Sequence, residues 1–599
     1  MKSLLLRLAL LLLPVSAVAI NDVSIVEVGV KGYYSMRGPT PVLIRLNVPS
    51  QQGPIRLDFT VTTTNPITRI PLRVDHFSRM VSPKLGETIQ LDSPVPLDGS
   101  SDAELRLDAS SASGEKVGSS SVNLSSLSNV GNQALAVILC QDSRLCDEAQ
   151  LQMSLGGSED ETTEKSKTFR FATLSGPREN WWDYSAVRFL VVAGSMGGWT
   201  DEQKSALEYY VRRGGTLLLL EKEADDRDFL APYRRNPIKS GPTQVGEGVL
   251  YRIPDLPGRA LNALFSGNSY KAIVSGHQLE LIPGYFDGSA HGWLRREVGV
   301  SFDFPRLRWV LIWLGAYILV VGLANFTLLR KLRRLEWGWV TTTCIAVLFA
   351  CALYVSSSMR RPKHVQLDDI TVYRMDSRSP VAYEQINLRV SSPSRTVTTV
   401  SVGDQAVLRS GSDVPETPTA EIATEITGVR GSRTGWKMNL GPPAEIDLAL
   451  LRWSFADLDL QSFHVFPGSI DIDSDLHLVN HTGQQFREGL YFDFDRNQKF
   501  LIPGLAPGQE IAVANLPSTA IWKDVEVNQF VSRQPVVDES VANQRPLPLR
   551  AIPYTAFELK AGTHFFVGAS DGPAPQTNLA GSRFVRQNYV VTVVSLDQP

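Results

Sequence analysis

The sequence predicts a multidomain membrane protein with four parts: an N-terminal β-sandwich, a doubly wound α/β domain, a two-helix transmembrane hairpin and a C-terminal β-sandwich region. Three observations carry this. Two uncharged apolar runs, Trp309–Leu329 and Trp337–Ser358, lie back to back. At about 1.5 Å per residue each is long enough to cross a hydrocarbon core of about 30 Å. Continuous apolar segments and a capped amphipathic pattern alternate between residues 130 and 290, as buried parallel strands and a crossover helix require. Period-2 alternation fills the chain on either side of these features, which is the mark of half-buried strands.

The chain begins Met-Lys-Ser, continues through the apolar stretch Leu4–Leu13 and reaches small residues at Ala17 and Ala19. This reads as a secretory signal peptide over residues 1–19, cleaved after Ala19, with an uncleaved anchor helix as the alternative. No twin-Arg pair and no Cys after the apolar core are present. Either reading places residue 20 onward outside the cytoplasm. The first span (309–329) then runs inward and the second (337–358) returns. The loop 330–336, with Arg330, Lys331, Arg333 and Arg334, faces the cytoplasm, in line with the positive-inside tendency. Arg306, Arg308, Arg360, Arg361 and Lys363 flank the outer ends and oppose that tendency, so the signal peptide decides the orientation. Trp309, Trp313, Trp337 and Trp339 suit the two interfacial belts. Neither span holds an Asp, Glu, Lys, Arg or His, which argues against a pump, channel or proton relay. The expected location is a bacterial inner membrane, with both large regions extracytoplasmic and the lipid bilayer as a partner.

The net charge is −3 and the pI about 6.3, so the chain has no basic field for nucleic acid. Of the four cysteines, Cys344 and Cys351 lie in the second span and read as packing residues. Cys140 and Cys146 read as a disulfide in an oxidising compartment, with free thiols or a metal or nucleophile pair as alternatives.

Residues 20–128 read as an immunoglobulin-like sandwich. Val23-Ser-Ile-Val-Glu-Val, Pro41-Val-Leu-Ile-Arg-Leu, Ile55-Arg-Leu-Asp-Phe-Thr-Val and Glu104-Leu-Arg-Leu alternate between turn-rich clusters. Residues 130–290 change character. Ala134-Leu-Ala-Val-Ile-Leu, Val187-Arg-Phe-Leu-Val-Val and Thr216-Leu-Leu-Leu-Leu are continuous apolar strands, and a short helix is expected from Glu148. A second helix is expected over about Asp201–Arg213. Thr200 is its N-cap, Gln203 its capping-box partner, Ala206, Leu207, Tyr210 and Val211 its apolar stripe, and Gly214-Gly215 its stop.

This last unit, Ala206-Leu-Glu-Tyr-Tyr-Val-Arg-Arg-Gly-Gly-Thr-Leu-Leu-Leu-Leu, resembles the class I glutamine amidotransferase-like fold. More narrowly, it is similar to the version found in uncharacterised bacterial two-span membrane proteins. Tyr317–Trp339, Phe565–Asp571 and Tyr589–Leu596 resemble those proteins too. The resemblance implies a setting alongside MoxR-type ATPases and von Willebrand factor A proteins. It does not carry the chemistry across. The amidotransferase fold needs a Cys on a tight Gly turn, whereas Glu221-Lys-Glu-Ala-Asp-Asp follows the strand Thr216–Leu220, and Cys140 is flanked by Leu139, Gln141 and Asp142. Ala193-Gly-Ser-Met-Gly197 resembles a hydrolase nucleophile elbow, but there a helix starts at the Ser, and here the cap is Thr200. Gly194, Ser195, Gly197 and Gly198 are therefore read as a ligand loop over the sheet's C-terminal edge.

Residues 363–599 return to β patterning and are expected to form one large or two smaller sandwiches. Asp471-x-Asp473-x-Asp475 invites a calcium reading, but Leu476 and Thr482 stand where an EF-hand loop has Gly and Glu. The aspartates read as the wet face of a strand, and His477 and His481 as surface or packing residues. No metal, cofactor or catalytic residue is expected. The functional expectation is a non-enzymatic envelope scaffold or partner-binding protein. A ligand sensor signalling through the hairpin and a hydrolase or amidotransferase-like enzyme are the alternatives.

Overall fold

The computed structural model describes residues 22–140, 169–220, 243–252, 307–408, 436–520 and 564–596, apart from 35–38, 48–52, 65–70, 85–86, 98–102, 130–133, 194–195, 197, 247, 361–363, 404–405, 441–443, 451–453, 571–577 and 581–583. The expected signal peptide lies outside the described residues.

In the N-terminal region, Asp22–Val28, Pro39–Asn47 and Thr88–Pro96 form an antiparallel three-stranded sheet. Ile55–Thr64, Pro71–Val81, Ala103–Ser111 and Lys116–Asn123 form antiparallel neighbours in a second sheet. The alternation written in the sequence becomes two faces. Ile55, Leu57, Phe59 and Val61 are buried, while Arg56, Asp58, Thr60 and Thr62 alternate outward. Val42, Ile44 and Leu46 of the first sheet belong to the same core, so the two sheets make a sandwich.

The second sheet does not end with the N-terminal region. Pro71–Val81 pairs in parallel with Trp436–Asn439, Met438 opposite Phe77. The sheet then continues through Ala444–Leu450, Thr396–Val402 and Asn578–Ala580. Half of this eight-stranded sheet thus comes from before the apolar helices and half from after them. The core is shared in the same way: Phe59, Leu105 and Phe77 lie in one cluster with Val400, Ile446, Leu448, Leu388 and Leu460.

A nine-stranded sheet completes the C-terminal region. Its order is Val407–Leu408, Ser454–Val465, Val381–Ser392, Val365–Asp376, Phe584–Leu596, His564–Ser570, Phe486–Asp493, Gln498–Ile502 and Ser518–Ala520. It is antiparallel except where Val365–Asp376 meets Phe584–Leu596. A small sheet of Ile470–Ile472, His477–Asn480 and Glu510–Ala512 packs on it through Ile470 and Leu478, with Val513 of the turn that follows, against Tyr491, Phe486 and Phe566.

The expected doubly wound α/β domain is not what forms. The apolar strands Ala134–Cys140, Val187–Ala193 and Thr216–Leu220 do pair in parallel, joined by Phe169–Leu174 and Gly248–Arg252, with Thr243–Val245 antiparallel at the edge. A doubly wound domain needs helices over both faces of such a sheet. Among the described residues one helix, Asp201–Arg212, packs on it. The helix expected from Glu148 lies outside the described residues. Strands make up 57% of the described residues and helices 20%, so the chain is a β protein with several sheets. Buried, continuous apolar strands are a property of any sheet covered on both sides, and that covering need not be helical.

The apolar runs form helices: Leu307–Leu319, a π-helical segment Val320–Ala324 and Asn325–Lys331, then Gly338–Arg360 after the turn. Leu311–Lys331 and Leu335–Val355 are long and apolar enough to cross a membrane. Leu314, Ile318, Leu323 and Leu348 point outward, the reverse of a globular helix. The two helices meet where Asn325 Nδ2 donates to Thr342 Oγ1 at 3.2 Å and where Phe349 lies edge-on to Trp313 and Tyr317.

Candidate functional site

The helix Asp201–Arg212 follows in sequence the loop expected to bind a ligand. Its capping box is complete: Gln203 N–H donates to Thr200 Oγ1 and Thr200 N–H to Gln203 Oε1. Gly214 takes φ +119°, and a Cβ on Gly215 would fall 2.3 Å from the Tyr210 ring, so the double Gly is required on both counts. Of the loop residues, Gly194, Ser195 and Gly197 lie outside the described residues. Gly198 sits exposed in a turn with open space around its Cβ position. Met196 and Trp199 are buried in the core below and pin this segment to it. Cys140 ends the first strand of the parallel sheet, and Cys146 lies outside the described residues, as does the disulfide proposed between them. Cys344 and Cys351 are free and exposed on the second apolar helix.

The sequence reading missed the segment Arg178–Ser185. It joins all three large regions. Arg178 reaches Glu27 at 3.6 Å and Asp92 at 3.9 Å in the N-terminal sandwich, and Ser185 Oγ donates to the Pro39 carbonyl. Trp181 packs edge-on to Phe463 of the nine-stranded sheet at 5.5 Å, and Tyr209 stacks on the same ring at 4.1 Å. Arg213 lies 5.3 Å over Trp181, close enough for a cation–π contact. Close by, buried Arg212 donates to Asp376 Oδ2 at 2.7 Å, and Gly246 N–H donates to the same oxygen at 3.0 Å. Asp183 is the costly group: it is 1% exposed, and its Oδ1 has no hydrogen-bond partner among the described residues. Burial pushes its carboxyl well above the usual range, Asp92 adds to this, and Arg178 and Asn180 oppose it. Adjacent tryptophans outside the two long apolar runs, Trp181-Trp182, were the legible signal for this junction.

On the small outer sheet, Ile470 is buried and Asp471 exposed. The strand ends at Ile472, and Asp473–Leu476 turn back. That turn brings Asp473 Oδ2 to 3.1 Å from His477 Nδ1, and Glu510 Oε1 lies 3.3 Å from the same nitrogen. Asp473 Oδ1 accepts from the N–H groups of Asp475 at 3.0 Å and His477 at 2.8 Å, which holds this carboxylate below the usual range. His481 lies 3.8 Å from Asp471. A second His network is enclosed. His564 Nδ1 is 2.9 Å from Tyr491 Oη, and its Nε2 is 3.4 Å from Asp495. Tyr491 and His564 are both buried, and burial pushes the Tyr491 hydroxyl up, so this pair braces the sheet.

No family model and no curated protein matches the chain. Among solved structures it is similar to a Paenibacillus sp. cycloisomaltooligosaccharide glucanotransferase complexed with cycloisomaltoheptaose. The identity is 8%, the TM-score 0.16, and the match covers 74% of this chain and 73% of that one. A Kluyveromyces marxianus β-glucosidase in complex with glucose also matches at 8% identity and a TM-score of 0.09, over 80% of this chain and 45% of that one. At such scores the likeness carries no argument. The fold itself defines the class: a strand-rich chain with two helices long and apolar enough to cross a membrane.

Proposed function

We propose that this chain is a non-enzymatic scaffold of a bacterial cell envelope, held in the inner membrane by its hairpin, that binds protein partners on the extracytoplasmic face. The observation that carries the reading is the eight-stranded sheet. Regions on either side of the hairpin pair strand to strand and share one core, and one folded body built from both supports the reading that both lie on the same side of the membrane. The end of the first helix and the short turn after it offer Arg330, Lys331, Arg333 and Arg334 with little else. Such a hairpin is an anchor with no relay groups in its spans. The resemblance to two-span membrane proteins makes MoxR-type ATPases and von Willebrand factor A proteins the first partners to try.

Two experiments test this. Single cysteines at exposed Ser125, Glu445 and Arg333 are labelled in intact cells with a maleimide that cannot cross the inner membrane. Ser125→Cys and Glu445→Cys should react, and Arg333→Cys only after lysis; the opposite pattern refutes the placement. Ser195→Ala and Cys140→Ala should keep the wild-type phenotype. Loss of that phenotype in either variant, with the protein still folded, would return the reading to an enzyme.

A further inference from the structure

We propose that Asp473, His477 and Glu510 form a site for one divalent transition ion of the zinc type, on the outer face of the small sheet. Strand register brings the donors together. His477 lies opposite Ala512 and Val479 opposite Glu510, so His477 and Glu510 are diagonal neighbours on one face. The alternate residues Leu478 and Ile511 point into the core. Asp473 comes from the preceding turn, where Leu476 takes φ +61° and folds the chain back over His477.

The two distances from the histidine nitrogen come close to the edges of a metal polyhedron. Zinc bonds to His nitrogen and carboxylate oxygen at about 2.0–2.2 Å in tetrahedral sites, which makes ligand-to-ligand edges of about 3.3–3.5 Å. The edges from His477 Nδ1 to Asp473 Oδ2 and Glu510 Oε1 are 3.1 and 3.3 Å, and all three donor atoms lie within 4.8 Å of one another. One ring nitrogen faces two carboxylates. A single N–H points at one oxygen, whereas a cation at the centre serves all three donors. Two carboxylates and a neutral imidazole balance a divalent charge and leave a fourth position for water. Calcium needs six to eight oxygens, so this donor set selects against it.

The platform is rigid. Asn480, fully buried on the same strand, donates to the carbonyls of Gln484, Leu505 and Ala506 and accepts from Thr482. Asp473 Oδ1 is tied down by two backbone N–H groups, which leaves Oδ2 aimed at the ion.

The test uses the full chain in detergent, titrated with Zn²⁺ by calorimetry and with Co²⁺ by absorption. One equivalent should bind, with the intense visible bands of four-coordinate Co²⁺. His477→Gln and Glu510→Gln should each weaken binding by at least about tenfold, since even an outer-shell partner is worth 10–100-fold. His481→Gln should leave binding unchanged, and a hundredfold excess of Ca²⁺ should not displace the ion. Affinity should fall in acid, because protons compete with the ion for its ligands. Glu510 is exposed and His477 half-buried at the edge of the sheet, outside its apolar core, so both Gln variants should keep the metal-free unfolding midpoint. No saturable uptake, uptake equal in the wild type and both Gln variants, or displacement by Ca²⁺ overturns the proposal.

Discussion

Ile446 offers a direct test of the shared core. It belongs to the C-terminal half of the eight-stranded sheet, is fully buried, and lies in one cluster with Leu57, Phe59 and Leu107 of the N-terminal half. Ile446→Ala removes three carbon groups at about 0.8 kcal/mol each, roughly 2.4 kcal/mol, before any cavity is counted. With the cavity, a loss of about 3 kcal/mol falls inside the 2–5 kcal/mol range of such substitutions. If the two halves open together, amide exchange in Ile55–Thr64 and Ala103–Ser111 should speed up on the order of a hundredfold, although these strands lie more than 300 residues away in sequence. Hydrogen exchange read by mass spectrometry on the detergent-solubilised protein measures this. Unchanged exchange in those N-terminal peptides, with faster exchange confined to residues 396–450, would refute the single body.

Other predictions follow from the junction. Arg212→Leu takes the guanidinium away from buried Asp376, which keeps backbone donors such as Gly246 N–H, and should cost about 3–5 kcal/mol of unfolding free energy, measured by urea denaturation. The Asp183 carboxyl binds its proton more tightly folded than unfolded, so stability falls as pH rises from about 4 through its raised folded value. Asp183→Asn should flatten that slope and raise the melting temperature at neutral pH; parallel melting-temperature curves between pH 4 and 8 would contradict this. Thr200→Ala should lose about 1 kcal/mol through the capping box, and Thr200→Ser should keep most of it; thermal unfolding compares the two.

Local features were readable in the chain. Ile55–Thr64 alternates with the strand period and becomes a two-faced strand; Thr200, Gln203 and Gly214-Gly215 bound the helix they predict. The apolar runs are helices of spanning length. What escaped was long-range. The parallel pairing of Met438 with Phe77 joins segments whose own patterns say only that each is a strand. The apolar strands of residues 134–220 were taken for a doubly wound sheet because their pattern reports burial on both faces and not the identity of the cover. Glu510 reaches His477 only through strand register, and the Arg178–Ser185 junction forms only when three regions meet. The reading of Asp471, Asp473 and Asp475 as one row stopped short at Ile472, where the strand ends and Asp473 turns toward the histidine.

The parallel pairing of Pro71–Val81 with Trp436–Asn439 also sets a timetable for synthesis. The N-terminal strand is made first and waits for a partner about 355 residues later, with both apolar helices in between. At 5–20 residues per second that wait lasts about 20–70 s. Throughout it the strand presents an unpaired row of backbone donors and acceptors, the kind of edge that recruits stray strands. Until residues 436–439 are made that edge stays open, so the sheet closes only after both apolar helices have been synthesised.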